Sequence, residues 1–425
     1  MEIREIFRDE VAIPQEDSNQ KLLRAFYNTA IISRLPIALW RLPGTTSPEA
    51  IIDLTHSNNW QSPELTNLPF GFLFAPFVHG ESRVLFLAAD VHLSDRKILF
   101  YDKNSHSARS ENLRFFVENF QRQCRRPKVG DRWFSPAKKS KDYQHATHQQ
   151  FCNWVELAKK QIVSGALQKV VLSRSLGIPL DHNFEPLKLF QVLCQVYPRA
   201  FVSLVAVPEI GTWIGATPEL MLKLSNSLLS TVALAGTKTF DIKGFTWGKK
   251  ELKEQAFVSD YIRQAFLKLN ITNFTENGPT TIQTGKLLHL KTEFNLAVNK
   301  SEGRKIASDL LKALHPTPAV CGTPKQEALD FILNHEIHER EFYTGYLGPV
   351  NFKEQTHLFV NLRCMQLLEN QAILYAGSGI TLESEPEKEW VEAGLKLKSL
   401  LNFIQGRATG KYKTYKEEEV DKVFE

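Results

Sequence analysis

The spacing of strand-like apolar runs constrains the fold of this chain most strongly. In the second half these runs include "KVVLSRSLGI", "AFVSLVAV" and "TWIGATPELMLKL", and a hairpin is predicted from "HLFVNLRCMQLL", the turn "ENQ" and "AILYAGSGIT". An earlier run, "RVLFLAADVHL", also predicts a strand. Because strands outnumber the helices between them, the chain lacks the regular alternation of a βαβ fold. The pattern therefore predicts an α/β or α+β protein with large mixed sheets and helices on their outer faces.

The chain is long enough for more than one domain, and one of its segments is typical of a linker. Its 425 residues are 43% hydrophobic and 23% charged, which excludes a disordered chain and one held together by disulfides. The polar segment "SPAKKSKDYQ" predicts a boundary near residue 140. We therefore expect an N-terminal part over residues 1–140, a main region over 141–405 and a charged tail over 406–425.

Charge, cysteine content and missing motifs exclude several classes of protein. Lys and Arg number 52 against 47 Asp and Glu, and the resulting charge of +5 is too diffuse to indicate a nucleic-acid surface. The five cysteines form no CxxC pair, which fits a reducing compartment and no structural zinc. There is no secretory signal, no long apolar run and no GxGxxG or P-loop. We expect a cytoplasmic protein without a membrane segment or a nucleotide cofactor.

The last predicted helix carries a row of charged residues beside its apolar face. Ser384 followed by Glu387 is the pattern of a capping box at the start of this helix. Glu389, Glu392 and Lys396 are spaced by three and four residues, so they project along one edge. They form either a solvated surface with one ion pair or part of a functional site. The apolar face comprises Trp390, Ala393, Leu397, Leu400, Leu401 and Ile404.

A second helix, predicted over residues 247–269, continues its apolar stripe into two carboxylates. Toward the N-terminus, the stripe through Val258 and Ile262 reaches Glu254 and Glu251. The helix dipole explains these acids if they are exposed. If the site is closed, a bound cation is the better explanation, because unpaired buried carboxylates are costly. Carboxylate pairs on two helices, without a nearby His or Cys arrangement, favour a hard cation such as Mg²⁺ over zinc.

Several further residues lie at strand ends, where side chains or bare backbone can reach a ligand. Gly377 and Gly379 end the last predicted strand and would let backbone N–H groups approach an anion. Lys169 begins "KVVLSR", and Glu219 ends "GATPE". A strand bend and ordinary strand-end charges also explain these residues when each is taken singly.

Ten segments occur in a characteristic order between residues 145 and 405: "KVVLSR", "GATPELML", "ALAGT", "KELKEQ", "HLKT", "LHPTPAVCGTP", "YTGYLGPV", "FVNLRCMQL", "AGSGIT" and "SEPEKEWVEAGLK". In this order they resemble the chorismate-utilising enzymes, the family of isochorismate, salicylate, anthranilate and aminodeoxychorismate synthases. The N-terminal third carries no matching motif. The resemblance implies a chorismate-binding fold in which large mixed or antiparallel sheets pack as a sandwich between outer helices, with the N-terminal part in the same fold.

The resemblance also implies catalytic roles for matching positions. Lys169 matches the base that activates water, and Ala235 matches the small residue of family members that add water rather than ammonia. Glu219 matches the acid that protonates the 4-hydroxyl of chorismate as it leaves. For these roles, the pKa of Lys169 must lie below its ordinary value and that of Glu219 above it.

A Mg²⁺ site and a set of substrate contacts follow from the same resemblance. Glu254 and Glu392 match direct metal ligands, whereas Glu251 and Glu389 match residues that hold metal-bound water. The ion is expected to bridge to the ring carboxylate of chorismate. Substrate contacts are implied at Gly236, Thr237, His315, Ala319, Tyr343, Arg363, Gly377, Gly379 and Lys396.

Three residues depart from the pattern of the family. Gln255 stands where the family has histidine, Cys321 replaces a common glycine, and Asn361 precedes "LR" where a small or apolar residue is usual. None of the three holds a catalytic role in the family. Gln255 is the departure that bears on metal positioning.

Three functions are compatible with these residues. Isochorismate synthase, a Mg²⁺-dependent isomerase, is the first prediction. The alternative is a salicylate synthase, which forms isochorismate and then eliminates pyruvate, because no residue separates the two. A non-catalytic chorismate-binding protein is the third, and the retained buried charges argue against it. We expect a monomer that needs no amidotransferase subunit and serves menaquinone or siderophore synthesis.

Overall fold

The computed structural model describes residues 18–55, 59–78, 83–95, 97–101, 107–125, 133–137, 143–239, 246–284 and 287–405. The predicted charged tail, residues 406–425, and much of the predicted linker lie outside these residues.

The helices of the described chain are α1 (Ser18–Ile32), α2 (Ser107–Arg125), α3 (His148–Val163), α4 (Pro186–Val196), α5 (Lys249–Lys268), α6 (Lys300–Leu314), α7 (Lys325–His335) and α8 (Pro386–Gln405). The strands before α4 are β1 (Ile37–Arg41), β2 (Glu49–Ile52), β3 (Trp60–Gln61), β4 (Gly71–Ala75), β5 (Val84–Ala88), β6 (Val91–Ser94), β7 (Lys97–Phe100) and β8 (Lys169–Pro179). The later strands are β9 (Phe201–Val207), β10 (Gly211–Thr217), β11 (Leu220–Ser225), β12 (Leu228–Thr239), β13 (Thr275–Thr284), β14 (Leu287–Ala297), β15 (Gly322–Thr323), β16 (Tyr346–Val350), β17 (Thr356–Val360), β18 (Cys364–Leu367) and β19 (Gln371–Ile380).

The strands form two large sheets, as the strand-rich sequence predicts. The ten-stranded sheet has the order β15-β8-β19-β18-β10-β9-β1-β2-β6-β7, and the nine-stranded sheet has the order β13-β14-β12-β11-β17-β16-β4-β5-β3. Neighbouring strands run antiparallel, for example β8 beside β19 and β12 beside β14. Strands from before and after residue 140 pair within both sheets, since β1 pairs with β9 and β4 with β16.

Aromatic side chains fill the space between the two sheets. Phe201 of the ten-stranded sheet stacks on Phe359 of the nine-stranded sheet, with ring centroids 4.3 Å apart. Trp40 meets Phe72 across the same interface, with ring centroids 5.5 Å apart. Both sheets therefore contribute to one aromatic core, the arrangement of a face-to-face sandwich.

The helices cover the outer faces. On the ten-stranded sheet, one buried cluster joins residues of α1, α2, α4 and α8, such as Phe26, Phe116, Phe190 and Leu397. On the nine-stranded sheet, a second cluster includes Val258 of α5. This is the predicted layer order, in which amphipathic helices bury one stripe against a sheet. None of the helices in the described segments combines the length and apolar character needed to cross a membrane.

Three apolar runs that each predict one strand are divided in the structure, and their halves lie in different sheets. "TWIGATPELMLKL" forms β10 and β11, divided at Pro218 and Glu219. "HLFVNLRCMQLL" forms β17 and β18, divided at residues 361–363, where Arg363 has a φ of 47°. "RVLFLAADVHL" forms β5 and β6. The predicted hairpin is therefore wrong in its first half, because the left-handed backbone at Arg363 ends β17 and directs only β18 toward β19.

The two long helices of the sequence prediction are present, but the start of α8 differs from the prediction. α5 buries Val258 and Ile262 along the predicted stripe. α8 begins at Pro386, so Ser384 lies outside its first turn. The Ser384 hydroxyl instead accepts a hydrogen bond from the Thr381 N–H at 3.1 Å. The predicted capping box is thus replaced by a turn that leads from β19 into the helix.

Candidate active site

A partly open cleft lies where the chain passes between the two sheets. It holds about 870 Å³ of space including its mouth. The N–H of Val360, next to one crossing, donates to the carbonyl of Glu219 in the other at 3.0 Å, and the Ala216 N–H donates to the Arg363 carbonyl at 3.1 Å. The two crossings therefore lie side by side. The predicted site residues that line the cleft are Lys169, Glu219, Gly236, Glu254, Ala319, Tyr343, Arg363, Gly377, Gly379, Glu392 and Lys396.

Lys169 occupies the first position of β8 and is 2% exposed. Burial is the main cause that lowers the pKa of its ammonium, and the nearby Lys396 and Lys250 lower it further. The Glu254 carboxylate opposes this shift. A lowered pKa favours the neutral amine, which is the form that can accept a proton.

Glu219 follows Pro218 at the crossing between β10 and β11 and is buried. Burial raises the pKa of its carboxyl to about 7, against the charges of Lys169, Lys396 and Arg363. A carboxyl with this pKa keeps its proton at neutral pH in about half of the molecules. Glu219 and Lys169 are thus displaced in opposite directions from their ordinary pKa values, as the sequence prediction requires.

Two glycines of β19 give the lysine and its neighbours room. A Cβ atom at Gly379 would lie 3.0 Å from Cε of Lys169 and 3.3 Å from Oε1 of Glu254. A Cβ atom at Gly377 would lie 2.9 Å from the Leu172 carbonyl and 3.2 Å from the Tyr343 hydroxyl. The Leu172 backbone leaves no room for a side chain at Gly377, and a side chain at Gly379 would crowd those of Lys169 and Glu254, so the two glycines shape the floor of the cleft.

Carboxylates from α5 and α8 form a rim, which we define as Glu254, Glu389 and Glu392, around the ammonium of Lys250. Nζ of Lys250 donates to Oε1 of Glu389 at 2.6 Å. Burial alone would lower the pKa of Lys250, but the charges of Glu389, Glu392 and Glu254 outweigh it and raise the pKa. One cation therefore compensates carboxylates from two helices.

Glu392 is held from the other side by Lys396, one turn further along α8. Nζ of Lys396 donates to Oε1 of Glu392 at 2.9 Å and to the Gly377 carbonyl at 2.8 Å. Burial would raise the pKa of Glu392, but Lys396 and Lys250 outweigh it and lower the pKa. Glu392 is therefore ionised, whereas burial is the main cause that raises the pKa of Glu254. An oxygen-only set of this kind is what Mg²⁺ prefers.

Glu251 and Glu389 do not line the cleft, and both have protein partners. The Glu251 carboxylate accepts the Gly248 N–H at 2.8 Å and so caps the start of α5. Glu389 is 1% exposed, pairs with Lys250 and accepts a hydrogen bond from the Ser378 hydroxyl. These contacts account for the positions of both carboxylates without a metal. That the two acids hold metal-bound water stays a prediction.

Arg363 and His289 form a polar pair in the cleft. NH2 of Arg363 lies 3.3 Å from Nε2 of His289. Because a guanidinium only donates, Nε2 is the acceptor in this contact. Burial lowers the pKa of His289 to about 3, with Arg363 and Lys396 acting in the same direction, so the ring is neutral. His289 belongs to the "HLKT" segment, yet sequence reasoning gave it no role.

The Tyr343 ring stacks on Tyr375 with centroids 5.3 Å apart, which fixes its position. Asn361, one of the departures from the family pattern, joins this region to the crossing. Its amide donates to the Phe342 carbonyl at 2.9 Å, and its backbone N–H donates to Gly345 at 2.8 Å. Asn361 thereby ties the Tyr343 turn to the segment that presents Arg363.

Gln255 also has a defined role in the structure. It is buried, its Oε1 accepts the Ala235 N–H at 2.9 Å, and its Nε2 donates to the Ala233 carbonyl at 3.2 Å and to Oγ1 of Thr292 at 2.9 Å. These bonds join α5 to β12 and β14 directly beneath Gly236, whose φ is 67°. Gln255 thus holds the turn at the cleft wall.

The remaining predicted contacts lie at the border of the cleft. His315 is outside the lining, and its Nε2 lies 3.0 Å from the Phe77 carbonyl. Ala319, which follows it in "HPTPA", does line the cleft. The side chain of Thr237 lies outside the described residues. His315 therefore supports this wall through the backbone of a neighbouring segment.

A buried ion pair that sequence reasoning missed lies behind the lysine strand. The Arg340 guanidinium pairs with Glu336 at 2.6 Å and donates to the carbonyls of Val171 and Val320 at 2.7 and 2.8 Å. Glu336 in turn accepts the Ser173 N–H at 2.7 Å. The pair fixes β8 against the wall that carries Ala319. Its partners on β8 are 163 to 169 residues away along the chain, so no local pattern could reveal these contacts.

Comparisons with known proteins point to one family. A family model described as "Chorismate binding enzyme" matches residues 97–405. Isochorismate synthase EntC of Escherichia coli is 31% identical over 247 residues, which are 56% of this chain and 62% of the relative. Isochorismate synthase MenF of the same organism is 29% identical over 262 residues, which are 59% of each chain. The chain thus matches only about three fifths of the length of these relatives.

Solved structures show the same fold over a larger part of the chain. The menaquinone-specific isochorismate synthase MenF of Escherichia coli superposes with a TM-score of 0.71 at 22% identity, covering 90% of this chain and 91% of the other. The DhbC isochorismate synthase of Bacillus anthracis gives a TM-score of 0.65 at 22% identity, covering 87% and 96%. With the matched residues 97–405 spanning most of its length, the chain belongs to the chorismate-binding enzymes.

Proposed function

We propose that the chain is an isochorismate synthase, which converts chorismate to isochorismate with Mg²⁺ as cofactor. The observation that carries this proposal is the pairing of Lys169 and Glu219 in one cleft, with pKa values displaced in opposite directions by burial. An acid whose pKa is raised and a base whose pKa is lowered are what the replacement of one hydroxyl by another requires. The isochorismate synthases among the relatives support the same activity.

Lys169 acts as the base in this proposal. Its neutral amine takes a proton from a water molecule, and the water oxygen forms a bond to C2 of chorismate. The ring double bonds shift, and the bond between C4 and its hydroxyl oxygen breaks. Glu219 gives its proton to that oxygen, which leaves as water. The lysine ends protonated and the glutamate ionised, and a proton returns through solvent before the next turnover.

The small lining beside Gly236 suits water as the nucleophile. Ala235 and Leu234 line the cleft at this point and offer no side-chain group that would orient ammonia. Gln255 holds the Ala235 backbone N–H, so this N–H is already satisfied. The proposal accordingly includes no amidotransferase partner.

The carboxylates of the cleft fit a Mg²⁺ ion. Glu254 and Glu392 line the space and supply only oxygen donors, and Glu389 stands behind them. When bound, the ion compensates the charge of a substrate carboxylate beside these acids. Lys250 and Lys396 hold the same acids in the described structure, which keeps the rim assembled. Arg363 is placed to bind the second carboxylate of chorismate through its planar guanidinium.

Chromatography of the products tests the proposal directly. The purified chain is incubated with chorismate, with and without Mg²⁺, and chorismate, isochorismate, salicylate and pyruvate are separated. A Mg²⁺-dependent mixture of chorismate and isochorismate without pyruvate is the expected result. Salicylate with an equal amount of pyruvate would identify a salicylate synthase instead, and no turnover would favour a chorismate-binding protein without activity.

A further inference from the structure

A second group of metal-binding side chains lies outside the cleft, where α3 begins beside the start of α8. His148 and Cys152 are one turn apart on α3, so both project toward the same side. Glu387 is in the first turn of α8 and faces them. None of the three residues lines the cleft. This group is therefore separate from the carboxylate rim.

The three side chains converge closely enough to share one ion. Nε2 of His148 lies 2.7 Å from Oε2 of Glu387 and 3.5 Å from Sγ of Cys152. Sγ of Cys152 lies 3.8 Å from Oε1 of Glu387. One ligand atom from each residue lies within 4.8 Å of the other two. Ligand atoms around a tetrahedral ion are separated by distances of this order, since each lies roughly 2.0–2.3 Å from the metal.

The ligands are held in place by their surroundings. Thr147 caps α3, because its hydroxyl accepts the Gln150 N–H at 3.2 Å and Gln150 returns a bond to the Thr147 N–H at 2.9 Å. The His148 ring packs edge to face on Trp390 of α8, with centroids 5.2 Å apart. Fixed ring orientation is a feature of metal-binding histidines. Cys152 is buried, whereas His148 is partly exposed and Glu387 largely exposed, so an ion can enter from solvent.

We propose that His148, Cys152 and Glu387 form a site for a zinc-class divalent cation, with solvent in the fourth position. One nitrogen, one sulfur and one oxygen ligand suit zinc, and a thiol is not a ligand for Mg²⁺. A neutral histidine with a thiolate and a carboxylate carries two negative charges, which balance the charge of the ion. Binding forms the metal–sulfur bond and releases the thiol proton to solvent.

The site joins two helices that bear on the cleft. Glu387 precedes Glu392 by five residues on α8, and α3 packs with Trp390 in the same buried cluster as Val170 and Leu172 of β8. The ion would therefore brace the start of α8 against α3 without touching the substrate. The sequence alone gave no sign of this site, because Glu387 is 235 residues away from Cys152.

Cobalt spectroscopy on the full chain tests the proposal. Co²⁺ replaces zinc in such sites, and a cobalt–thiolate bond absorbs in the near ultraviolet. Co²⁺ is titrated into the protein in excess Mg²⁺, which saturates oxygen-only sites. We expect a charge-transfer band that saturates at one equivalent, is absent in Cys152→Ser and is retained in Cys124→Ser, whose cysteine is exposed on α2. No band, or a band that survives Cys152→Ser, would overturn the proposal.

Zinc affinity gives a second measurement that does not depend on the thiol variant folding. Equilibrium dialysis with Zn²⁺ alone should show at least about 100-fold weaker binding in His148→Gln and in Glu387→Gln. Glu385→Gln, an exposed acid before the same helix turn, should bind as the unmodified chain does. Equal affinity in all four proteins would refute the site. Both readouts are independent of turnover, so they remain informative whatever the activity proves to be.

Discussion

The two ends of the cleft differ in what controls the protonation of their charged groups. At the end of Lys169 and Glu219, burial is the main influence and moves both pKa values away from their ordinary ranges. At the rim, ion pairs outweigh burial for Lys250 and Glu392, whose pKa values move toward greater ionisation, whereas burial still raises the pKa of Glu254. Burial therefore favours the neutral forms of Lys169 and Glu219, whereas ion pairing keeps Lys250 and Glu392 charged. Within a single cleft, the two ends thus differ in whether burial or ion pairing controls protonation.

The largest expected effect comes from removing the base. Lys169→Ala should lower turnover of chorismate by at least about 100-fold, because it removes the amine that takes the proton from water in the proposed mechanism. Binding of chorismate, measured by calorimetry in the presence of Mg²⁺, should remain. Near-normal turnover would remove Lys169 from the mechanism. The lowered pKa of its ammonium would then have no role in the reaction.

Removal of a rim charge should change the requirement for metal. Glu392→Gln should abolish turnover at Mg²⁺ concentrations that saturate the unmodified enzyme, since it removes an ionised ligand together with its ion pair to Lys396. Activity is measured over a titration of Mg²⁺. Glu385→Gln is the matched control. This acid is exposed, and the ion pair described for its carboxylate is with Lys388, outside the cleft. An unchanged Mg²⁺ titration in Glu392→Gln would reduce the rim to a surface ion-pair cluster.

Glu219 gives a prediction for stability as a function of pH. Its folded pKa of about 7 lies above the ordinary value of 4.5. Between these two pH values the unfolded chain releases the proton and the folded chain keeps it, so the free energy of unfolding falls as pH rises. Glu219→Gln should remove this loss and be more stable at pH 7 by on the order of 1–3 kcal/mol.

Urea unfolding at several pH values measures this difference. The two proteins should converge below pH 4.5, where Glu219 is protonated in both states. A difference in the free energy of unfolding that is independent of pH would mean that burial does not raise the pKa of Glu219. Turnover of the variant should also fall, because an amide cannot deliver the proton.

The smallest effect is expected at Gln255, which supports the wall between the two ends. Gln255→Ala removes the hydrogen bonds that the Gln255 amide makes with the Ala235 N–H and with Oγ1 of Thr292. This loss should lower the free energy of unfolding by about 1–3 kcal/mol. Turnover should fall by less than about tenfold, with the Mg²⁺ requirement unchanged. A marked shift in the Mg²⁺ titration would show instead that Gln255 positions the rim.

Sequence patterns predicted the elements whose signals are local. The stripe of Val258 and Ile262 predicted α5, and the periodicity before Ile404 predicted α8. Ordered motifs then placed Lys169, Glu219 and Arg363 together, and the structure brings them to one cleft. These predictions succeed because helix periodicity and motif order are properties of the chain itself.

What the sequence could not predict depends on contacts between distant segments. The division of "HLFVNLRCMQLL" at Arg363 has no proline or glycine to mark it, so the run looked like one strand. His289 and Arg340 acquire their roles only when Arg363 and Val171 are brought beside them. Lys250 is an ordinary surface lysine by pattern, and only the meeting of α5 with α8 makes it a counter-ion.

The aromatic layer between the sheets has a further consequence for the shape of the cleft. β8 and β19 of the ten-stranded sheet present Lys169 and Gly379, whereas β12 of the nine-stranded sheet presents Ala235, and Glu219 lies on the connection between sheets. The stacked rings of Phe201 and Phe359 keep the two sheets apart, so their packing contributes to the width of the cleft. Side chains outside the cleft thus influence how far apart the residues that line it are held.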